Sequence, residues 1–287
     1  MISARVARRT AARRLADAGI PSPDNDAEVL MAFALGVRRG ALHGVDELDD
    51  DAVGRFFALV EHRVDRVPLQ HLVGVAGFRR LELDVGPGVF IPRPETELLV
   101  EWGIGQLAKH HRFGPVVVDL CTGSGAIALA VQQEVPDAQV YAVEQDPRAL
   151  SWAHRNAQTR VAAGDLPITL CRGDATAPGT LPHLDGIVDL VLSNPPYLPL
   201  GGQVDPEVAD YDPPAALWGG ADGLEVLHGV ARRAAALLRP DGQFAVEHAD
   251  EQGLAVPTLL RQMGGWSDIA DHCDLTGRPR FTTARRA

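Results

Sequence analysis

Val116-Val117-Val118-Asp119-Leu120-Cys121-Thr122-Gly123-Ser124-Gly125-Ala126-Ile127-Ala128-Leu129-Ala130 is the stretch that decides the architecture. A β-branched apolar run reads as a buried strand, two glycines as a tight turn, and the alanine-rich pattern over 126–134 as a helix. The alternation continues downstream. Further strands are expected at 140–143, 168–170, 187–192 and 243–246, with helices over 147–161, 224–238 and about 251–263. Two closing strands are expected around 266–269 and 280–283. Such a series implies an α/β fold whose seven-stranded, mostly parallel sheet is covered by helices on both faces.

Upstream, residues 1–70 read as three helices. The first spans 3–18 and stops at Gly19 and Pro21. The second, capped by Asp24 or Asp26, carries Ala27, Leu30, Met31, Phe33, Ala34 and Leu35 up to Gly36. The third spans 50–65, with Val53, Phe56, Phe57, Val60 and Val64 on one face before Pro68. This small helical domain is either a packing element or a substrate-docking module. In residues 71–91, Leu81, Leu83 and Val85 alternate with Glu82 and Asp84, and Gly86-Pro87-Gly88 marks a turn. A β-hairpin joining the helical domain to a larger domain over 92–287 is expected. Phe90-Ile91-Pro92-Arg93-Pro94-Glu95-Thr96-Glu97 opens that domain. The flanking proline rings fix the direction of Arg93, which reads as a surface residue or as a contact over the active site.

The 287 residues are 46 % hydrophobic and 23 % charged, the make-up of a soluble globular protein. No window approaches 18 uncharged apolar residues, so no membrane span is expected. Three widely spaced cysteines, Cys121, Cys171 and Cys273, suggest neither a disulfide framework nor a zinc site. A reducing, cytoplasmic setting follows as the expectation. Arg5, Arg8, Arg9, Arg13 and Arg14 precede the first acid, Asp17, and read as a basic helix in preference to an organellar transit peptide. The formal net charge is −11, and it is unevenly placed: residues 1–85 hold 12 Arg against 13 acids, residues 86–287 hold 15 basic against 25 acidic side chains. An acidic catalytic part argues against direct DNA binding, which draws its non-specific affinity from phosphate neutralisation.

The glycine loop lacks the Gly-Lys-Ser/Thr ending of a phosphate loop and the third glycine of the dinucleotide fingerprint. Alone it is as well explained by a tight strand–helix turn. Glu144 raises its meaning, because it ends the second strand 25 residues after Asp119, where such folds place an acid on ribose hydroxyls. Asp174, ending the third strand, reads equally as a helix cap or as an acceptor for an adenine amino group. The decisive motif is Val188-Asp189-Leu190-Val191-Leu192-Ser193-Asn194-Pro195-Pro196-Tyr197. Neither strand nor helix continues through two prolines, so Asn194 sits at a strand's carboxyl end. With each residue type near 5 %, Asn-Pro-Pro-Tyr arises by chance roughly once in 10⁵ positions. The Asn194 amide oxygen and the Pro195 carbonyl, oriented by the ring of Pro196, form two acceptors for a planar –NH₂ group, and Tyr197 offers a stacking face. That is a holder for a nitrogen aimed at an electrophile bound at the glycine loop. Attack on a sulfonium methyl needs alignment more than acid or base.

These residues resemble the amino-methylating class I S-adenosylmethionine methyltransferases, whose Rossmann-like sheet the expected strand series matches. Phe90–Glu97 as quoted, Gly219-Gly220-Ala221-Asp222-Gly223-Leu224 and Glu247-His248 narrow the resemblance to the peptide chain release factor glutamine methyltransferases, the PrmC/HemK family. The helical domain and hairpin fit too, so the resemblance covers essentially the whole chain. It implies N5-methylation of the glutamine in the Gly-Gly-Gln motif of class 1 release factors, by a monomer. It implies cofactor contacts at Asp119, Cys121, Thr122, Gly123, Ser124, Gly125, Glu144, Asp174 or Ala175, and Asn194, with Phe90 and Arg93 nearby. Asn194, Pro195, Pro196 and Tyr197 would hold the glutamine, and no metal is implied. The chain departs from the pattern at Cys121 (usually Gly), Glu144 (more often Asp), Ala175 (an aromatic in some relatives) and Ala249 (usually Gly). Three rival readings are a DNA adenine-N6 methyltransferase, which shares Asn-Pro-Pro-Tyr, a nicotinamide-dependent dehydrogenase, and a non-catalytic binder of translation factors.

Overall fold

A computed structural model of the chain describes residues 1–110 and 113–287. It divides into two compact units, Met1–Val75 with Val204–Tyr211, and Ala76–Gln203 with Asp212–Ala287.

In the first unit a two-residue strand, β1 (Ile2–Ser3), leads into α1 (Ala4–Asp17) and α2 (Pro23–Leu35). The strand β2 (Glu47–Leu48) pairs antiparallel with β1, and α3 (Asp50–Val64) and α4 (Leu69–Val73) complete the helices. The expected cap of α2 is replaced: Ser22 holds the N-cap position with Pro23 behind it, which frees Asp26 for the interior. Asp26, 5 % exposed, accepts from Arg63 Nε of α3 at 2.8 Å. Asp49 caps α3 through Ala52 N at 2.7 Å. Ala7, Ala11, Leu15, Leu30, Phe56 and Val60 are fully buried and make the unit's core.

The second unit begins with β3 (Val75–Phe78, with Ala76 the unit's first residue) and β4 (Leu81–Asp84), a two-stranded hairpin. Its turn is at Arg79-Arg80, where Arg79 adopts φ 52°, and not at Gly86-Pro87-Gly88, which turns the chain after β4 has ended. Next come α5 (Thr96–His110), β5 (Val116–Leu120), α6 (Ala126–Glu134), β6 (Gln139–Glu144), α7 (Pro147–Ala162), β7 (Thr169–Arg172) and β8 (Val188–Ser193). After α8 (Pro206–Tyr211) and α9 (Pro214–Leu217) the series ends with α10 (Glu225–Leu237), β9 (Leu238–Glu247), α11 (Ala255–Met263), β10 (Trp266–Cys273) and β11 (Pro279–Arg286). The seven-stranded sheet runs β10-β11-β9-β8-β5-β6-β7. The five strands β9, β8, β5, β6 and β7 are mutually parallel, and β11 is antiparallel to both β9 and β10. Apolar clusters lie on both faces, one built on Val118, Val191, Phe244 and Leu237, the other on Val117, Leu190, Leu129 and Val131. That two-sided burial is why the central strands read as continuous apolar runs. The chain winds outward from β5 through β6 to β7, then returns to β8 on the other side of β5. This reversal makes the carboxyl ends of β5 and β8 the crevice where open α/β sheets bind ligands.

The helix α8 was not legible in the sequence. Its Glu207 meets Arg63 at 2.9 Å and Arg66 at 3.4 Å, which ties the segment 204–211 to the helices of the first unit.

Candidate active site

The loop after β5 is pinned from below. Asp119, fully buried, accepts from Thr122 Oγ1 at 2.5 Å and from Ala128 N at 3.2 Å, so one carboxylate spans the turn and the first turn of α6. Burial pushes its pKa up to about 7, against the pull of those two donors, and its Oδ1 is buried without a partner. Cys121, Gly123 and Gly125 adopt φ 65°, 57° and 88°. The left-handed region costs a non-glycine residue about 1 kcal/mol or more, so Cys121 sits where glycine is the unstrained choice. Burial, with Glu144 and Asp119 nearby, raises the Cys121 thiol, which stays protonated and unreactive. A Cβ on Gly123 would meet nothing within 4 Å, so the loop's backbone faces open space. Such a cradle fits a ligand that approaches the main chain closely.

Glu144, half-buried at the end of β6, accepts from Gly123 N at 2.9 Å through one oxygen and from Asp146 N at 2.8 Å through the other. Burial raises its pKa, with these amides opposing. A carboxylate has about four acceptor sites, so capacity remains for a hydroxyl donor. Ser124 is held by its carbonyl, which accepts from Asn156 Nδ2 at 2.9 Å. Asn156 also donates to Asp84 O at 3.0 Å and accepts from Asp84 N at 2.7 Å, so one buried amide links the hairpin to the glycine loop. Asn156 belongs to no motif in the sequence; its signal is a polar residue on the face of α7 that buries Ala149 and Ala153. Asp174 caps no helix, because the chain runs on through turns over 175–180; it closes an Asx turn, its Oδ1 accepting from Thr176 N at 2.8 Å and Thr176 Oγ1 at 2.7 Å. Ala175 is buried within the core.

At the end of β8, Ser193 Oγ donates to Leu120 O at 2.6 Å, and Ser193 is the parallel partner of Leu120. The glycine loop and Asn194 therefore start from paired positions on adjacent strands. Asn194 Nδ2 donates to Thr96 Oγ1 at 3.2 Å. The Asn-Pro-Pro-Tyr backbone is gripped from outside: Leu198 N donates to Leu217 O, Gly219 N to Leu198 O, and Gln252 Nε2 to Tyr197 O, all at 2.8–2.9 Å. A Cβ on Gly219 would lie 2.6 Å from Pro196 O, and one on Gly223 would strike Tyr197 O. That close approach is the physical need behind the Gly219–Gly223 motif. The Tyr197 hydroxyl donates to Glu247 Oε1 at 3.4 Å, and burial holds the phenol in its neutral form.

Arg93 Nη2 pairs with buried Asp212 at 2.6 Å while its guanidinium lies 4.9 Å from the Phe90 ring centroid. The hydrogen bond of Arg93 thus runs to Asp212 rather than to the glycine loop, and nothing in the sequence pointed to Asp212. Among the described residues, no group of three or more His, Cys, Asp or Glu is placed to hold a metal ion.

Against known proteins, residues 7–74 match the family model described as the PrmC N-terminal domain, and residues 94–210 match the methyltransferase small domain. The chain is 52 % identical to a release factor glutamine methyltransferase of Streptomyces coelicolor, over 100 % of this chain and 99 % of that protein. It is 50 % identical to one of Mycolicibacterium smegmatis over the same shares, and 43 % identical to one of Mycobacterium tuberculosis over 96 % and 89 %. Among solved structures, a T. thermophilus 16S rRNA methyltransferase in complex with AdoMet and guanosine aligns with TM-score 0.54 at 22 % identity, over 74 % of this chain and 50 % of that one. The hMettl16 catalytic domain aligns with TM-score 0.53 at 15 % identity, over 83 % of each chain. At such identities these two carry the fold alone.

Proposed function

The chain belongs to the release factor glutamine methyltransferases, and from that premise we propose that it methylates N5 of the glutamine in the Gly-Gly-Gln motif of a class 1 peptide chain release factor. The observation that supports the reading is the Ser193–Leu120 pairing, from which Asn194 and the glycine loop leave adjacent strands at matched positions. S-adenosylmethionine, the cofactor, supplies when bound a methyl group on a positively charged sulfur. Gly123 and Gly125 would admit it against the backbone, Glu144 would accept from its ribose hydroxyls, and the loop over 121–125 would be kept in shape by Asp119 and Asn156. Asp174 and Ala175 would border the adenine, and Phe90 with Arg93 would close the site from above.

An amide nitrogen is a weak nucleophile because its lone pair is delocalised into the carbonyl. Asn194 Oδ1 and the Pro195 carbonyl would accept its two N–H bonds, which aims the lone pair and favours pyramidalisation as attack proceeds. Pro196 would fix the direction of the Pro195 carbonyl, and the Tyr197 ring would stack on the amide plane. Asn194 is too weakly basic to remove the proton beforehand; the cationic product, strongly acidic, loses it afterwards. In this reading the helical unit docks the release factor and the enzyme works as a cytoplasmic monomer. No described helix is long and apolar enough to cross a membrane. The second reading worth testing is DNA adenine-N6 methylation, since Asn-Pro-Pro-Tyr serves either nitrogen. The test is transfer of labelled methyl from S-adenosylmethionine to a release factor and, separately, to duplex DNA. Label in the release factor alone is expected; label in DNA alone overturns the proposal.

A further inference from the structure

We infer that Glu247 is a positioning residue for this reaction: through the Thr96 hydroxyl it sets which end of the Asn194 amide faces the substrate, and through the Tyr197 hydroxyl it holds the other end of the same tetrapeptide. The inference rests on Asn194 being the amide holder. Glu247 ends β9 and is 1 % exposed. Its Oε2 accepts from Thr96 Oγ1 at 2.6 Å and its Oε1 from the Tyr197 hydroxyl at 3.4 Å. Thr96, 4 % exposed, has one hydroxyl proton. Once that proton is given to an ionised carboxylate, which can only accept, the hydroxyl oxygen can only accept in turn. The Asn194 group facing it at 3.2 Å must therefore be the NH₂. The two ends of an amide are nearly equal in size, so packing does not choose between them; a hydrogen-bond chain of fixed polarity does. With the NH₂ committed to Thr96, Oδ1 is the end left to accept from a substrate amide.

A carboxylate kept only for stability would be expected to bind its cationic neighbour directly. Arg280 lies close enough to act on Glu247 by charge, yet its hydrogen bond goes to Asp274 Oδ2 at 3.4 Å and its Nε is buried without a partner. Both Glu247 oxygens are spent on the hydroxyls of Thr96 and Tyr197 instead. The groups facing Glu247 are Glu95 and Thr96 at the start of α5, Tyr197 after β8 and Arg280 on β11. Burial is the largest influence and lifts its pKa to about 7, with Thr96 and Arg280 opposing and Glu95 adding to the rise. Once protonated, Glu247 becomes a donor itself, Thr96 is released to donate toward Asn194, and the amide can flip. The catalytic rate at saturation should therefore fall as pH drops through about 7.

The test compares wild type with Thr96→Val, Thr96→Ser and Glu247→Gln, measuring kcat and KM for release factor across pH, with cofactor affinity as the fold control. Thr96→Val should lower kcat by about 10²-fold with little change in KM, the scale of a misdirected reacting group. Thr96→Ser, which keeps the hydroxyl, should recover most of it. Glu247→Gln should lower kcat about tenfold and abolish the acidic limb of its pH profile while cofactor affinity holds. If Thr96→Val does not fold, Thr96→Ser and Glu247→Gln carry the comparison. Glutamine methylation by wild type with unchanged kcat and pH profile in Glu247→Gln overturns this inference alone. No glutamine methylation by wild type overturns the functional reading and the inference with it.

Discussion

Asn156→Ala tests whether the hairpin and the glycine loop are one mechanical unit. The side chain makes three hydrogen bonds, at 2.7 Å from Asp84 N, 3.0 Å to Asp84 O and 2.9 Å to Ser124 O, from a residue only 2 % exposed. Each is worth about 1 kcal/mol net, and partners left buried without replacement raise that figure. Asp84 is half-buried and recovers some hydration, so the expected loss is about 2–3 kcal/mol. The assay is urea unfolding followed by tryptophan fluorescence. Trp102, Trp152, Trp218 and Trp266, all four tryptophans, lie in the second unit, so the signal reports it alone. Cofactor affinity measured by calorimetry should fall about tenfold, because Ser124 loses its anchor and the loop must be ordered on binding. Asn156→Asp is the sharper control: it keeps an acceptor for Asp84 N but turns a negative oxygen toward two carbonyls, and should cost more than the alanine. An alanine variant within about 0.5 kcal/mol of wild type would mean that Asn156 does not couple the hairpin to the loop, since that is the scatter of ordinary surface changes.

Other outcomes follow from the same geometry. Gly219→Ala would place a Cβ 2.6 Å from both Pro196 O and Gly223 O, so turnover should drop at least tenfold; normal turnover in that variant would mean the Asn-Pro-Pro-Tyr backbone is not gripped there. Asn194→Ala should abolish methyl transfer while cofactor affinity, read by calorimetry, stays within threefold. Burial raises the pKa of Asp119 in the folded state from the ordinary carboxylate range to about 7, so folding disfavours its ionised form. Its contribution is fully present below about pH 4 and is lost as pH rises to about 7, by an amount of order a few kcal/mol. Wild type should lose stability relative to Asp119→Asn across that window, and parallel unfolding curves would count against the buried carboxylate.

Much of this molecule can be read from residue order because its sheet is buried on both faces. The apolar runs of β5, β6 and β8 announce parallel strands, and the Pro-Pro step marks where β8 must stop. The site is legible at those strand ends for the same reason: Gly123, Gly125, Glu144 and Asn194 lie where the chain leaves the sheet. What sequence order hides is side-chain partnership across distant elements. Thr96 and Glu247 are 151 positions apart yet share a hydrogen bond. Arg93 finds Asp212 across 119 positions. Arg79-Arg80 makes the hairpin turn without glycine, whereas the glycine-rich Gly86-Pro87-Gly88 carries the stronger turn signal in the sequence. The segment 204–211 joins the helical unit through Glu207, whose partners Arg63 and Arg66 lie in a different third of the chain. Cys121 is the opposite case: a residue that departs from the expected glycine keeps the glycine-like φ of 65° because Asp119 and Thr122 fix the loop around it.

The most direct test is where the methyl group goes. The protein is incubated with S-adenosylmethionine and a class 1 release factor, the release factor is digested, and the peptide carrying Gly-Gly-Gln is sequenced by mass spectrometry. The expectation is one added methylene, about 14 Da, on the glutamine side chain, and none in the Asn194→Ala variant. An unmodified glutamine beside methylated adenine in a parallel DNA reaction, or full methylation by Asn194→Ala, would contradict it.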